Sequence, residues 1–372
     1  MIYLDSAATS LLKPGSVPAA SERAMRTMAS PGRGCHKPAM KAADCILDCR
    51  LLLSSFFNVK DPETVIFTFN ATHGLNIAIN SLVNPGDTVV VSAFEHNSVI
   101  RPLSAKGAKI LVATSPLFAP EKTLEAFRER LPGAKCAVCT HVSNVFGYIL
   151  PIGGIAELCH EYGVPLIVDA SQSAGVLPID FSALGAEFVA MPGHKGLLGP
   201  QGTGVLLCAG GTKPILSGGT GSSSTERAMP QYLPDRLEAG THNVPGVAGL
   251  MAGVGYLQSC AAGSIASHEN FLCRRLATEL SKLPELQIFS EGNCQNQSGV
   301  LSVVSKTIDS DTLAERLARA GVCVRAGLHC APLAHETAGT LETGTVRFSF
   351  SPFNTGEEID SAAKIFKKIL NN

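Results

Sequence analysis

The segment FVAMPGHK, residues 188–195, joins a short apolar run directly to a lysine. Residues 188–191 are typical of a buried strand, and a glycine-rich stretch at residues 196–204 follows Lys195. Burial of an ammonium group is costly, but desolvation lowers the pKa of a lysine and leaves an amine that can form a Schiff base. Because an exposed loop lysine is the commoner explanation, the segment alone indicates only a candidate nucleophile.

Apolar runs separated by helix-length stretches surround this segment through the first two-thirds of the chain. The runs are residues 64–69, 88–92, 109–113, 137–142, 165–169, 188–191 and 204–207. Continuous apolar strands of this kind are typical of a parallel sheet that helices cover on both faces. Two of the intervening helices are predicted at residues 73–81 and 152–162. The sequence therefore predicts a large α/β domain around a mostly parallel, seven-stranded sheet.

The pattern changes from about residue 256. The predicted elements there are a helix at 267–283, a strand at 299–304, a helix at 310–320, strands at 322–325 and 345–349, and a helix at 355–370. This order is typical of a smaller α+β domain. We therefore expect residues 16–255 to form the large domain, and residues 1–15 and 256–372 to form the small one.

The composition is that of a globular chain of 372 residues. Apolar residues make up 45%, charged residues 16%, and the mean hydropathy is +0.20, which excludes a disordered chain. The formal net charge of −1 gives no electrostatic reason to expect nucleic acid or a membrane as partner. Because no signal-peptide pattern and no apolar stretch of ~20 residues is present, we expect a soluble, cytoplasmic protein.

The cysteines give no sign of a disulfide framework or of a metal site. Twelve are scattered along the chain, and we expect most to be reduced and buried. Cys136 and Cys139 form a CxxC pair, but no second pair lies at zinc-site spacing. Both also fall in the apolar run 134–142, so we expect no metal there.

A second strand end supplies an acid. The run PLIVD ends in Asp169, and ligands of open α/β sheets bind at the carboxyl ends of strands. A helix N-cap is the alternative for Asp169 alone. Asp169 and Lys195 are 26 positions apart (195 − 169), which leaves room for one helix and one strand between neighbouring strand ends. Pyridoxal phosphate (PLP) requires both a lysine and an anion beside its pyridine nitrogen, so the pair predicts a PLP site.

Two more strand ends complete this predicted site. Residues 69–74, FNATHG, lie at a strand-to-helix junction, where free N–H groups and the helix dipole favour a phosphate. Thr72 adds a hydroxyl group there. Residues 92–98, SAFEHNS, follow another strand and offer His96 as a ring that stacks on the cofactor. Each signal is ordinary alone, and together they favour PLP.

These motifs resemble the class V aminotransferase family of fold-type I PLP enzymes, and within it the cysteine desulfurase and selenocysteine lyase group. The resemblance extends from YLDSAAT at residues 3–9 to VRFS at residues 346–349. It implies the fold-type I architecture, PLP as cofactor, and a homodimer with shared active sites.

The resemblance also implies roles for matching positions. Lys195 and His96 are expected to be catalytic, Asp169 to pair with the pyridine nitrogen, and Gln172 to lie near the ring hydroxyl. The phosphate contacts are expected from Ala71, Thr72, His194 and the neighbouring subunit's copy of Thr241. The substrate contacts are expected from His36, Asn144, Arg325 and Arg347. A guanidinium pairs with a carboxylate through two parallel hydrogen bonds, so Arg347 is expected to bind the substrate α-carboxylate.

Two positions depart from the family pattern. Pro192 occupies a position where the family usually has Ser or Thr, and proline offers neither a hydroxyl nor an N–H to the phosphate. We therefore expect weaker cofactor retention. His73 stands where glutamate is common.

Cys330 is the candidate sulfur acceptor. It lies in VRAGLHCAPL, residues 324–333, a glycine- and proline-punctuated loop between two predicted strands. The neighbouring His329 and Arg325 are expected to favour the nucleophilic thiolate. A buried structural cysteine is the alternative, but the motif resembles the desulfurase signature. Cys35 and Cys159 also adjoin a histidine, but Cys159 falls in a predicted helix and Cys35 lies outside this loop.

The resemblance implies conversion of L-cysteine to L-alanine, with the sulfur held on Cys330 as a persulfide for an acceptor protein. A selenocysteine lyase would use the same residues. A class V aminotransferase or a β-eliminating C–S lyase would not use Cys330. A sulfur carrier or scaffold without catalysis is a further alternative, against which the intact Asp169–Lys195 pair argues.

Overall fold

The computed structural model describes residues 1–32, 34–292 and 295–370. Its strands are β1 (Ile2–Tyr3), β2 (Val65–Thr68), β3 (Thr88–Ser92), β4 (Lys109–Ala113), β5 (Cys136–Thr140), β6 (Leu166–Asp169), β7 (Phe188–Pro192), β8 (Gly204–Cys208), β9 (Leu286–Phe289), β10 (Val300–Ser305), β11 (Val322–Cys323), β12 (Arg325–Gly327) and β13 (Thr345–Ser349). Its α-helices are α1 (Ser16–Thr27), α2 (Lys37–Phe56), α3 (Ala71–Leu82), α4 (Asn97–Ala105), α5 (Pro120–Arg130), α6 (Ile152–Glu161), α7 (Phe181–Leu184), α8 (Val244–Ser259), α9 (Ser264–Leu280), α10 (Ser310–Arg319), α11 (Pro332–Ala338) and α12 (Gly356–Leu370).

The central sheet has seven strands in the order β2-β8-β7-β6-β5-β3-β4. All neighbouring pairs are parallel except those of β8, which runs antiparallel to both β2 and β7. The prediction of a mostly parallel, seven-stranded sheet is therefore confirmed. Because β6 and β7 are parallel neighbours, with Asp169 opposite Ala190, their carboxyl ends bring Asp169 beside the segment that carries Lys195.

Alternating side chains of each strand face two separate apolar cores. In β7, Val189 and Met191 pack into the core that contains residues of α2, α5, α6 and α8. Phe188 and Ala190 pack into the core that contains residues of α3 and α4. Because successive strand residues point to opposite faces, a strand that is apolar throughout requires helices on both sides.

A second sheet has the antiparallel order β12-β13-β10-β9, and β1 pairs in parallel with β11. Leu4 packs into a third core with side chains of α9, α10, α12 and this sheet, so the first residues of the chain pack with the last third. The domain ranges themselves stay a prediction. The proposed boundary between them, at residue 256, falls inside α8. Within the predicted ranges, residues 33, 293–294 and 371–372 lie outside the described residues.

The strand predicted at residues 322–325 is wrong as a single element. It consists of β11 and β12, because Val322 and Cys323 pair with β1 whereas β12 pairs with β13. The helix predicted at 267–283 begins and ends three residues earlier, at Ser264 and Leu280.

The structure also shows where the CxxC pair lies and whether any helix could span a membrane. Cys136 and Cys139 are both buried in β5 but pack into different cores, so their thiols face opposite sides of the sheet and do not converge on one metal. Within the described ranges, no helix is long and apolar enough to cross a membrane.

Candidate active site

A cleft with a cavity volume of about 110 Å³ opens at the carboxyl edge of the central sheet. The predicted site residues that line it are Ala71, Thr72, His96, Asn144, Asp169, Gln172, His194 and Lys195. These residues come from the ends of several strands and from the first turn of α3. The fold therefore gathers most of the predicted cofactor residues around one space.

Lys195 follows β7 in a tight turn and is half-buried. Gly193 shapes this turn, because a Cβ atom there would clash with the side chain of Thr203. Burial lowers the pKa of Lys195 to about 8, and the nearby Asp169 carboxylate opposes part of that effect. About a tenth of the amine is therefore uncharged at pH 7, far more than for an ordinary lysine, and the uncharged amine is the nucleophilic form.

Asp169 ends β6 and is only 3% exposed. Its Oδ1 accepts a hydrogen bond of 2.9 Å from the Ser171 N–H. Asp169 makes no ion pair with any residue that the structure describes. A buried carboxylate without an ion pair is a suitable partner for a cationic group that enters the cleft.

Ser98 connects Thr72 and His96, the two residues that the sequence analysis selected after β2 and β3. Its Oγ lies 2.8 Å from the Thr72 Oγ1 and 2.9 Å from the His96 Nδ1, and its N–H donates to the same nitrogen. Burial lowers the pKa of His96 and so favours the neutral ring, and the charge of Asp169 opposes the effect. Sequence reasoning quoted this serine in its motif but gave it no role.

The N-terminal segment of residues 3–10 fastens several cleft residues in place. Gln172 Nε2 donates to the Ala7 carbonyl at 3.0 Å, and the His194 Nδ1 lies 3.0 Å from the Thr9 Oγ1. Burial lowers the pKa of His194 to about 4, helped by the charge of Lys195. His194 is therefore a neutral ring at physiological pH, able to donate one hydrogen bond.

Arg347 lies in β13 and is only 2% exposed. Its guanidinium donates to the Asn144 carbonyl and to Asp5 Oδ1, both at 2.9 Å. The Nε atom is buried and has no hydrogen-bond partner in the described structure. Burial lowers the pKa of Arg347, and Asp5 opposes that effect. Asp5, which the sequence analysis left without a role, is thus the main counter-charge of the predicted carboxylate-binding residue.

The Cys330 loop is attached to the cleft by its backbone. The Cys330 carbonyl accepts a 2.7 Å hydrogen bond from the Asn97 N–H, and Asn144 Nδ2 donates to the His329 carbonyl at 2.9 Å. His329 and Cys330 both have left-handed backbone conformations, with φ of 48° and 57°. The Cys330 side chain is exposed, whereas Cys159 is buried.

The expectation that His329 favours the Cys330 thiolate is not supported by the structure. The His329 ring is buried, and its Nε2 lies 3.1 Å from the Thr345 Oγ1. Burial, with Arg347 nearby, lowers its pKa to about 2, so the ring carries no charge at physiological pH. Adjacency in sequence did not reveal that the ring turns into the protein.

Two predicted site residues lie away from this cleft. Thr241 is exposed and lines a separate pocket with Phe69 and Leu216. His36 is exposed and caps α2, where its Nδ1 accepts from the Ala39 N–H. Within one chain, neither residue meets Lys195. Arg325 is 53% exposed, with its Nε 3.6 Å from Asp5 Oδ2.

Comparison with known proteins places this geometry in a family. The sequence model described as aminotransferase class-V matches residues 2–361. The chain belongs to this family. A probable cysteine desulfurase from Methanothermobacter thermautotrophicus is 33% identical over 383 residues, covering 99% of this chain and 94% of that protein. A probable cysteine desulfurase from Pyrococcus abyssi is 30% identical, covering 100% of this chain and 95% of the relative.

Solved structures of two cysteine desulfurases agree with the fold. The apo cysteine desulfurase from Thermococcus onnurineus NA1 superposes with a TM-score of 0.90 at 29% identity, covering 100% of this chain and 94% of that one. The cysteine desulfurase CsdA from Escherichia coli gives a TM-score of 0.86 at 28% identity, covering 99% and 94%. The prediction of the fold-type I architecture is confirmed by these likenesses.

Proposed function

We propose that this chain is a PLP-dependent cysteine desulfurase, which converts L-cysteine to L-alanine and receives the sulfur on Cys330. The observation that carries the proposal is the position of Cys330. Its exposed thiol belongs to a loop that is hydrogen-bonded to Asn97 and Asn144 at the cleft of Lys195 and Asp169. The names of the relatives agree with this chemistry.

The cleft residues fit PLP by their chemistry. Asp169 is a buried carboxylate that has no ion pair within the described part of the chain. Lys195 is an amine of lowered pKa, and α3 begins at the cleft with Ala71 and Thr72. We propose that Asp169 would hold the pyridine nitrogen, His96 the ring face and Lys195 the aldehyde carbon. The phosphate would be held by Ala71, Thr72 and His194. When bound, PLP supplies an electron sink that stabilises negative charge on the substrate α-carbon.

Lys195 is the proposed acid and base for proton transfer. With a pKa of about 8, its amine both accepts and releases a proton near neutral pH. Lys195 therefore removes the α-proton of the substrate and returns a proton to the reacting skeleton.

Arg347 and Asn144 are the proposed substrate-binding residues. The Nε of Arg347 is a buried donor with no partner in the residues that the structure describes, and a substrate carboxylate would satisfy it. Asn144 is already fixed by its bonds to the Cys330 loop and to Arg347, so its position is set before substrate arrives.

Cys330 performs the proposed sulfur transfer. The thiolate attacks the substrate sulfur, and an S–S bond forms as the substrate C–S bond breaks. The electron pair of the broken bond stays with carbon, which takes up a proton and becomes the methyl group of alanine. The thiol of Cys330 has lost one proton, so the step balances without an external oxidant or reductant.

The variant Cys330→Ser tests this role. We expect sulfide release from cysteine, measured with a thiol reductant, to fall roughly 100-fold or more, because a serine hydroxyl forms no persulfide. The absorbance of the bound cofactor should persist, since Cys330 does not hold it. Cys260→Ser is the matched control, because this half-buried cysteine follows α8, away from the cleft. Full activity of Cys330→Ser would contradict the proposal.

The same assay distinguishes the alternatives. Faster turnover of selenocysteine than of cysteine would indicate a selenocysteine lyase. Pyruvate in place of alanine would indicate a β-eliminating lyase, and absence of bound cofactor would indicate a non-catalytic carrier.

We also propose a homodimer in which Thr241 reaches the cleft of the neighbouring subunit. Thr241 is exposed and lies next to Phe69, which is 56% exposed although it is a large apolar residue. Leu216 and Tyr232 are other exposed apolar side chains of the same part of the chain. The cytoplasmic location and the sulfur-acceptor protein stay predictions.

A further inference from the structure

We propose that Asp5 is a positioning residue that holds the orientation of Arg347 and partly neutralises its positive charge, and so limits how tightly the cleft binds a carboxylate. This inference deepens the proposed function, because it rests on Arg347 as the group that binds the substrate carboxylate.

Asp5 makes one tight and one loose contact. Its Oδ1 accepts from Arg347 at 2.9 Å, and these side chains are 16% and 2% exposed. Its Oδ2 lies 3.6 Å from the Nε of the half-exposed Arg325. The bond to Arg347 is therefore a desolvated, charge-assisted hydrogen bond, whereas the contact with Arg325 is screened by water.

The strand register explains why a carboxylate is needed at this point. Arg325 in β12 lies directly opposite Arg347 in β13. Like charges at directly opposed positions destabilise a sheet. Asp5 reaches both arginines from a third segment, and that segment is fixed because the Ser349 N–H donates to the Leu4 carbonyl at 2.8 Å. The backbone beside Asp5 therefore cannot move away from Arg347 without breaking this pairing.

The hydrogen bonds of Arg347 leave one edge for a ligand. One terminal nitrogen donates to the Asn144 carbonyl and the other to Asp5. The Nε is buried and has no hydrogen-bond partner among the described residues. A ligand carboxylate that takes the Nε must share this guanidinium with Asp5, so two carboxylates meet at one cation. Asp5 holds the plane of the guanidinium ready for the ligand, but its own charge weakens the attraction.

Two variants separate these effects. Asp5→Asn keeps the size and an acceptor oxygen but removes the charge, whereas Asp5→Glu keeps the charge but cannot reproduce the 2.9 Å geometry. Acetate serves as a probe for the carboxylate site. We expect Asp5→Asn to bind acetate about 3- to 10-fold more tightly and to lower KM for cysteine by a similar factor. We expect Asp5→Glu to bind acetate like the unmodified protein but to turn over about tenfold more slowly.

Acetate affinity is measured as an inhibition constant and as the rise in melting temperature of cofactor-free protein. The second readout does not depend on catalysis. Tighter acetate binding by Asp5→Asn, together with no desulfurase activity in the unmodified protein, would therefore keep the charge effect and refute the proposed function. Asp360→Asn is the matched control, because it breaks an exposed Asp–Arg pair with Arg275 away from the cleft. A purely structural Asp5 would lower the melting temperature of both variants and leave acetate affinity and KM unchanged. That outcome, or weaker acetate binding by Asp5→Asn, overturns the inference.

Discussion

Glu269 is a buried acid whose titration should make the free energy of unfolding depend on pH. This residue of α9 is 7% exposed and lines a cavity of about 40 Å³ together with Lys195 and Ser298. Its carboxyl group has no hydrogen-bond or ion-pair partner among residues 1–32, 34–292 and 295–370. Burial alone raises its pKa from 4.5 to about 8. Glu269 is therefore a neutral acid in the folded protein at pH 7 and an anion in the unfolded chain.

The sign of the pH effect follows from this difference. A carboxyl group with a raised pKa contributes its full stability below the unfolded pKa and loses it as the pH rises through the folded pKa. The loss amounts to about 1.4 kcal/mol for each pH unit in between. As the pH rises from about 5.5 to about 7.5, the ionisation of Glu269 should therefore lower the free energy of unfolding by roughly 2 to 3 kcal/mol. Glu269→Gln removes this titration.

The free energy of unfolding in urea, measured at several pH values for both proteins, tests the prediction. We expect the variant to gain stability relative to the unmodified protein as the pH rises, and the difference to level off above about pH 8. Glu129→Gln is the control, because Glu129 is an exposed residue of α5. A difference that does not vary with pH between Glu269→Gln and the unmodified protein would refute the reasoning.

Two other predictions concern substrate binding and assembly. Arg347→Lys should raise KM for cysteine roughly 10- to 100-fold in steady-state assays, because an ammonium cannot replace the bidentate guanidinium. An unchanged KM would exclude Arg347 as the residue that contacts the substrate carboxylate. Light scattering should give the mass of two chains. Mixing Lys195→Ala subunits with Thr241→Ala subunits should restore activity, because one of the two sites in the mixed dimer then contains both intact residues. If the mixture is no more active than either variant alone, Thr241 does not act across subunits.

Some of the candidate site could be predicted because its signals are local. The run of residues 165–169 and the run 188–191 match β6 and β7 to within one residue, because unbroken apolar stretches between turns are recognisable without tertiary contacts. Since adjacent parallel strands end at the same edge, Asp169 and Lys195 could be placed together from their spacing.

The surroundings of these residues could not be predicted in the same way. The hydrogen bond between Asp5 and Arg347 joins residues 342 positions apart, and no periodicity relates them. His329 adjoins Cys330 in sequence, yet its ring packs near Thr345 and His335, so adjacency wrongly suggested an activating charge. The direction of a side chain depends on which distant groups fill the space around it.

The sequence by itself determined the apolar strand runs, the lysine and the acid that follow two of them, and the loop that carries Cys330, because each depends on residues within a short stretch. The tertiary structure alone decided the charges. Burial shifts the pKa values of Lys195, His329 and Glu269, and the carboxylate of Asp5 offsets part of the positive charge of Arg347. Desolvation and ion pairing arise only when distant segments exclude water from one another, which no local pattern of residues encodes.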